Sequence, residues 1–249
     1  MKADLIVKYG SSTVTNETGV DRERMAHHAD EIAGLQKAGF GVVLVSSGAI
    51  AVGRAMWQER RTEQTPDVRS LATIGSAGIM GAWQEMLGEH RVVAGQVLVT
   101  HREIDEPAEG SMLLELLRNN LNRGIVSVIN ENDALSDAEI AALSYGGDND
   151  GLARHIAVAT KATRLLLLTE VDGLLDDSGE TVRSITPASD ESVIALAGPS
   201  NGIGRGGMKS KLEAALAAAR QGIVTHIASA DASLTDVILS EAGTTVYPR

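Results

Sequence analysis

Short apolar runs of strand length alternate with segments of helical spacing along most of the chain. "DLIVK" (4–8) and "GVVLVS" (41–46) are nearly unbroken runs of Val, Leu and Ile, bounded by polar residues or glycine. Between them, "DRERMAHHADEIAGLQKAG" (21–39) spaces Met25, Ala29, Ile32, Ala33 and Leu35 roughly as one helical face and stops at Gly39. A strand, a helix of that length and a second strand imply a crossover, and hence parallel pairing. The alternation returns at "VVAGQVLVT" (92–100), "LLELLRNNLNRG" (113–124) and "IVSVIN" (125–130), then at "NDGLARHIAVATKA" (149–162) and "RLLLLTEV" (164–171). Strands apolar on both faces suit a sheet covered on both sides, so the pattern predicts a doubly wound α/β sandwich. After residue 170 the rhythm changes. "VDGLLDDSGETVRSI" (171–185) predicts a hairpin turning at Asp177–Gly179, "MKSKLEAALAAARQG" (208–222) an Ala-rich helix closing on Gly222, and "IVTHIAS" (223–229) one more strand. No Pro- or Ser-rich linker and no repeat divides the chain. One domain with two lobes is expected.

Composition narrows the function classes. The 249 residues are enough to bury a sizeable core. A net charge of −11 would repel a phosphate backbone, and aromatics at 2% offer few stacking platforms, so no nucleic-acid partner is expected. The absence of cysteine removes disulfides, thiolate nucleophiles and Cys-ligated metal. The apolar run near the N-terminus ends at Lys8, too soon for a signal segment, and no stretch approaches the roughly 18 apolar residues of a membrane span. A cytoplasmic protein without a membrane partner is expected.

In open α/β sheets, ligands collect beyond the carboxyl ends of the strands. The segments at those ends here are rich in small, amide, hydroxyl and cationic residues: "KYGSST" (8–13), "SSGAIAVG" (46–53), "NENDALSD" (130–137), "GGDND" (146–150), "TEVDG" (169–173) and "GIGRGGMKSK" (202–211). Lys8 ends a buried strand, a costly position unless its ammonium meets an anion or reaches back out to water. Ser46, Ser47 and Gly48 open a helix N-terminus, where backbone N–H groups can face an anion, although a plain strand-to-helix turn would use the same residues. "GIGRGGMKSK" could wrap a nucleotide's phosphates with Lys209 or Lys211, but it lacks Walker spacing, and no G-x-G-x-x-G follows the first strand. In "GGDND", Asp148, Asn149 and Asp150 stand ahead of a helix that needs one cap at most. The six histidines show no metal spacing and read as surface or cap residues; Met80 and Met86 read as core fillers on a helix.

Taken together, "VKYGSS", "VSSGAIAVG", "GQVLVT", "SVINENDA", "GDND", "LLLLTEVDGL" and "GRGGMKSKLEAA" resemble the amino-acid kinase family. They occur in that family's order over roughly residues 4–222. "SSGAIA", "INEND" and "GDND" are most similar to its glutamate-phosphorylating branch. The resemblance implies a three-layer αβα sandwich around a mostly parallel sheet, with an acceptor-binding lobe over about residues 1–165 and a nucleotide-binding lobe over about 166–249. It also implies ATP-dependent phosphorylation of the side-chain carboxylate of L-glutamate, the first step of proline biosynthesis, with Mg²⁺ carried by ATP rather than held directly by the protein. Lys8, Asp150 and Lys211 would be catalytic, Asp150 orienting the two lysines. Ser47, Asn130, Asp133 and Asn149 would hold the acceptor. Gly10, Ser11, Ser12, Asp148, Thr169, Glu170, Arg205, Gly206, Gly207, Met208, Lys209 and Ser210 would join Lys8 and Lys211 around ATP. A homo-oligomer is expected, with "SLATIGSAGIMGAWQEML" (70–87) as the assembly face, and a catalytic domain without the C-terminal RNA-binding-like domain of many bacterial members.

Some positions depart from the family pattern. Tyr145 stands where a lysine is usual, Glu170 where Asp is usual, Arg205 in place of a small residue, and 70–84 matches only loosely. The phosphoryl-transfer parts are intact and the acceptor side has drifted. That keeps a kinase acting on another small acid, phosphate or phosphonate open as an alternative, and more remotely an inactive ligand sensor.

Overall fold

Each apolar run becomes a strand of one sheet, and each segment of helical spacing becomes a helix laid on it. The computed structural model describes residues 3–59, 64–100, 102–135, 149–186, 190–196 and 207–248. In chain order these form β1 (Leu5–Tyr9), α1 (Ser11–Val14), β2 (Thr15–Asn16), β3 (Gly19–Val20), α2 (Arg22–Lys37), β4 (Val42–Ser46), α3 (Ala49–Gln58) and α4 (Val68–Glu89). Next come β5 (Val93–Val99), α5 (Arg102–Asp105), α6 (Pro107–Asn122), β6 (Ile125–Glu131), α7 (Asn149–Thr160) and β7 (Arg164–Thr169). The rest is β8 (Ser184–Ile185), α8 (Asp190–Leu196), α9 (Met208–Arg220), β9 (Val224–Ser229), α10 (Leu234–Ile238) and β10 (Thr244–Val246). No helix among the described residues is long and apolar enough to cross a membrane.

The eight-stranded sheet has the order β5-β6-β4-β1-β7-β9-β10-β8. The first six run parallel; β10 is antiparallel to β9, and β8 pairs parallel with β10. From β1 the chain steps outward through β4 to β5, then turns back through β6 and crosses to β7 and β9. Right-handed crossovers put helices on opposite faces when the direction of travel reverses. Accordingly α2 and α4 pack with Leu5, Val7, Tyr9 and Leu168 on one face, through Met25, Ile32, Ile79, Trp83 and Leu87. On the other face Ile6, Val45 and Leu167 meet Leu117 of α6, Leu152 and Ile156 of α7, and Leu212 of α9. This is the expected three-layer sandwich. The point of reversal leaves the carboxyl ends of β1 and β7 side by side with connections leaving to opposite faces, which is where such sheets open a crevice.

Helix α4 buries one long face. Its residues Leu71, Gly75, Ile79, Trp83 and Leu87, four apart, are turned inward. A Cβ on Gly53 would stand 1.9 Å from the Leu71 carbonyl oxygen, and one on Gly75 1.8 Å from that of Ala49. Helices α3 and α4 therefore meet backbone to backbone. This face of α4 is consumed inside the chain, because glycine at both positions lets α3 lie directly on it, while Thr73, Ala77, Gly81 and Gln84 of the expected assembly segment stay exposed. The 171–185 segment turns as expected, with Asp176 Oδ1 accepting from the backbone N–H of Ser178 and Glu180, but the hairpin keeps a single bridge, Leu175 to Thr181.

Two histidines are not surface residues. His28 and His226 are buried, and His101 lies outside the described residues. His28 meets the Thr13 carbonyl at 2.9 Å and stacks on Tyr9; His226 meets Thr245 Oγ1 at 3.1 Å. A lone His at an apolar position looks the same in sequence whether it faces water or a carbonyl, which is why neither was expected inside. Burial pushes both imidazoles down to about 4, against the Thr13 carbonyl in His28 and reinforced by Arg164 in His226. Unfolding then takes up protons between the unfolded value near 6.5 and the folded value near 4. Stability should be full above about pH 6.5 and fall toward pH 4, by up to roughly 3 kcal/mol per histidine. Urea unfolding across that range checks this; the double variant His28→Gln/His226→Gln should have a flatter slope whatever its absolute stability.

Candidate active site

Side chains alternate across a strand, so Lys8 shares the face of Ile6 and points toward the layer that carries α7 and α9. Asp150 lies in the first turn of α7 and Lys211 in the first turn of α9. Lys8 Nζ stands 2.7 Å from Asp150 Oδ1, and Lys211 Nζ 3.1 Å from Oδ2. The side chains are 5%, 0% and 6% exposed in the order Lys8, Asp150, Lys211, so three formal charges are held almost out of water. Burial alone would push the Asp150 carboxyl up; the two ammonium groups, and the hydrogen bonds they donate, outweigh it and hold the carboxyl below its usual range. Lysine in the first turn of a helix also opposes the helix dipole. Local preference is thus overruled at Lys211, as happens where a site needs a charge. Two buried lysines thus converge on one carboxylate.

The residues expected around phosphate frame this triad. Gly10 precedes α1 with φ −71, an ordinary value, and a Cβ there would sit 3.7 Å from Lys8 Nζ. Ser11 and Ser12 are exposed in α1, and Arg24 donates to the Ser12 carbonyl at 3.0 Å while pairing with Asp231 at 2.9 Å. Thr169 ends β7, Glu170 beside it is exposed, and Gly207 leads into Met208, Lys209, Ser210 and Lys211 at the start of α9. Lys209 faces outward, 4.0 Å from Glu213. Asp148, Arg205 and Gly206 lie outside the described residues, as do Tyr145, Gly146 and Gly147.

The expected acceptor group also comes together, one helical position from Asp150. Asn149 Nδ2 reaches Ser47 Oγ at 2.7 Å, Asn130 Oδ1 at 3.0 Å and the Ser46 carbonyl at 3.3 Å. The turn that presents Ser47 depends on Gly48, whose φ of +106 and contact with Thr15 would punish any side chain. Asp133 lies farther out. It lines a cavity of about 270 Å³ with Glu131, Asn132, Ala49, Thr73, Ser76 and Gln96. Thr73, Ser76 and Gln96 were missed in the sequence, although Thr73 and Ser76 interrupt an otherwise apolar helix at a spacing of three, and Gln96 donates to Ser76 Oγ at 3.0 Å.

Comparison with known proteins agrees with this architecture. A sequence model of the amino acid kinase family matches residues 5–229. The chain belongs to that family. Among its relatives, a glutamate 5-kinase of Thermus thermophilus is 38% identical over 226 residues, spanning 89% of this chain and 60% of that protein. A glutamate 5-kinase of Acinetobacter baumannii is 36% identical over 243 residues, 95% of this chain and 63% of its own. The chain thus spans about three fifths of the length of these relatives. The carbamate kinase of Giardia shares the fold, with a TM-score of 0.75 at 12% identity over 100% of this chain and 99% of its own. An N-acetylglutamate synthase of Neisseria gonorrhoeae does so at 0.70 and 18% identity, over 99% of this chain and 60% of its own. A fold shared by a kinase and a synthase does not choose a reaction; that choice rests with the site.

The ion-paired triad separates Asp150 from an ordinary helix cap. Asp150→Asn would remove the carboxylate that two buried ammonium groups share, a loss of about 3–5 kcal/mol, whereas Asn149→Ala removes neutral hydrogen bonds worth about 1–2 kcal/mol. Urea unfolding of both variants at pH 7 should show that inequality. In the wild type the contribution of Asp150 is present above the unfolded carboxyl value of about 4 and is lost as pH falls through the lower folded one.

Proposed function

We propose that the protein transfers the γ-phosphoryl group of ATP to the side-chain carboxylate of L-glutamate, giving γ-glutamyl phosphate, the entry step of proline biosynthesis. The single observation that carries this reading is the buried Lys8–Asp150–Lys211 array beside the Ser47–Asn130–Asn149 cluster. A carboxylate is already ionised at neutral pH, so its attack on phosphorus needs no general base. Positioning and compensation of moving negative charge are what remain to be supplied. Lys8 and Lys211, held apart by one carboxylate, would accompany that charge as it shifts from acceptor toward leaving group. Gly10 leaves room above Lys8 for a phosphate oxygen, and the start of α9 adds backbone N–H groups.

Lys8, Lys211 and the first turn of α9 would hold the phosphates of a nucleoside triphosphate, with Gly10 alongside Lys8. Bound Mg²⁺–ATP would supply the phosphoryl group and mask part of its charge. Among the described residues no cluster of His, Asp or Glu is suited to a metal of the protein's own, and in this reading Mg²⁺ arrives on the nucleotide. Glutamate 5-kinase relatives at 34–38% identity add to the same reading.

The cavity lining adds to the acceptor reading: among the described residues it includes the carboxylates of Glu131 and Asp133, groups of the kind that receive an α-ammonium, together with Thr73, Ser76 and Gln96. An inactive sensor would have no need to bury two lysines on one carboxylate.

ADP release with glutamate, ATP and Mg²⁺, with hydroxylamine trapping the acyl phosphate, tests the reaction; turnover only with a different acceptor would overturn the glutamate assignment. Lys211→Ala should lower kcat far more than it raises KM for ATP, because its charge matters most as transfer proceeds. Asn149→Ala should instead raise KM for the amino acid by one to two decades, roughly 1.5–3 kcal/mol for a hydrogen bond to a charged ligand. Steady-state kinetics on the two variants separates these roles, and the same pattern in both would remove them.

A further inference from the structure

Beneath the acceptor cluster lies a buried aromatic residue that nothing in the reaction chemistry requires. Trp83, in the middle of α4, is fully buried, and its Nε1–H donates to Ser46 Oγ at 2.9 Å. An indole can only donate, so the Ser46 hydroxyl must turn its own hydrogen elsewhere; it points at the Ser47 carbonyl, 3.2 Å away. The Ser46 carbonyl, in turn, receives Asn149 Nδ2 at 3.3 Å, while the same amide holds Ser47 Oγ at 2.7 Å. The indole therefore selects one hydroxyl rotamer, that rotamer holds the Ser47–Gly48 peptide, and Asn149 holds the Ser46–Ser47 peptide before it, so that the Ser47 side chain between them is fixed toward Asn149. On its other side Trp83 lies 5.5 Å from the Tyr9 ring, which stacks at 4.4 Å on His28, and His28 meets the Thr13 carbonyl in α1. The aromatic row thus runs under the sheet edge from the acceptor turn to the turn after Gly10.

We propose that Trp83 is a positioning residue for acceptor binding, acting through Ser46 on the Ser47–Asn149 pair. It touches neither substrate nor reacting atoms; its role is to hold the acceptor turn at a set place relative to β1 and Lys8. The proposal rests on the reading of Ser47, Asn130 and Asn149 as the acceptor site. Trp83→Phe keeps a ring in the space but removes the donor, freeing the Ser46 hydroxyl. Ser46→Ala removes the relay and leaves a buried indole N–H unpaired. Both should raise KM for the acceptor by about three- to tenfold, the worth of one ordinary hydrogen bond, with KM for ATP unchanged and kcat altered less. In a double-mutant cycle the two effects should not add, because each breaks the same relay.

The chain holds two tryptophans, so the Nε1–H resonances of Trp83 and Trp57 can be followed together. Trp57 donates to the Gln64 carbonyl and serves as the internal control. The Trp83 resonance should be protected from exchange in the wild type, lose that protection in Ser46→Ala, and shift in Asn149→Ala while the Trp57 resonance stays in place. This arm needs no substrate, so it reads the relay even if glutamate proves not to be the acceptor; the kinetic arm is then run on whichever acceptor the wild type turns over. Lowered melting temperature with an unchanged acceptor KM in Trp83→Phe, or a Trp83 resonance indifferent to Asn149→Ala, would reduce Trp83 to core packing and overturn the proposal.

Discussion

One carboxylate shared by two ammonium groups sets the terms for the rest of the molecule. Taking three charges out of water costs several kcal/mol for each ion, returned only if geometry is nearly ideal. Asp150 meets that demand because it is the second residue of α7, where backbone position is rigid, and because Lys8 and Lys211 arrive from a central strand and a second helix start. Their placement requires that β1 be central, that α7 and α9 share a face, and that β1 and β7 be neighbours. The strand order provides all three. The sheet is the frame that holds two lysines within reach of one acid.

The neighbouring acceptor cluster works on a different principle. Its members are neutral, and Asn149 offers two amide hydrogens to three nearby oxygens. Such an over-subscribed donor can exchange one partner for a ligand oxygen at little cost, whereas the charged triad cannot. Stiffness sits with the buried charges, and exchangeable bonding sits with the neutral cluster proposed to hold the acceptor.

Much of this was legible in the chain. Continuous Val/Leu/Ile runs separated by helical segments indicated a covered parallel sheet, and the residues after each strand indicated which edge carries chemistry. Lys8 was conspicuous because a cation at the end of a buried strand needs an explanation. Other features were hidden for physical reasons. The packing of α4 on α3 with Gly53 and Gly75 back to back is a relation between two helices that no single-helix pattern records. His28 and His226 are buried by partners far along the chain or in a neighbouring turn, and β10, with three residues, is too short to carry a period. The bond from Trp83 to Ser46 leaves no trace in the chain, since it depends on where β4 ends.

The order in which the strands are laid down bears on how the site comes into being. Lys8 is made first, yet its partners on α7 and α9 arrive only after the chain has gone out to the β5 edge and returned across the centre. Closing such distant contacts carries a large entropy of loop closure and favours slow, late formation. The paired charges are a seal set at the end of folding, so that a chain whose sheet has been assembled out of order cannot present the site at all.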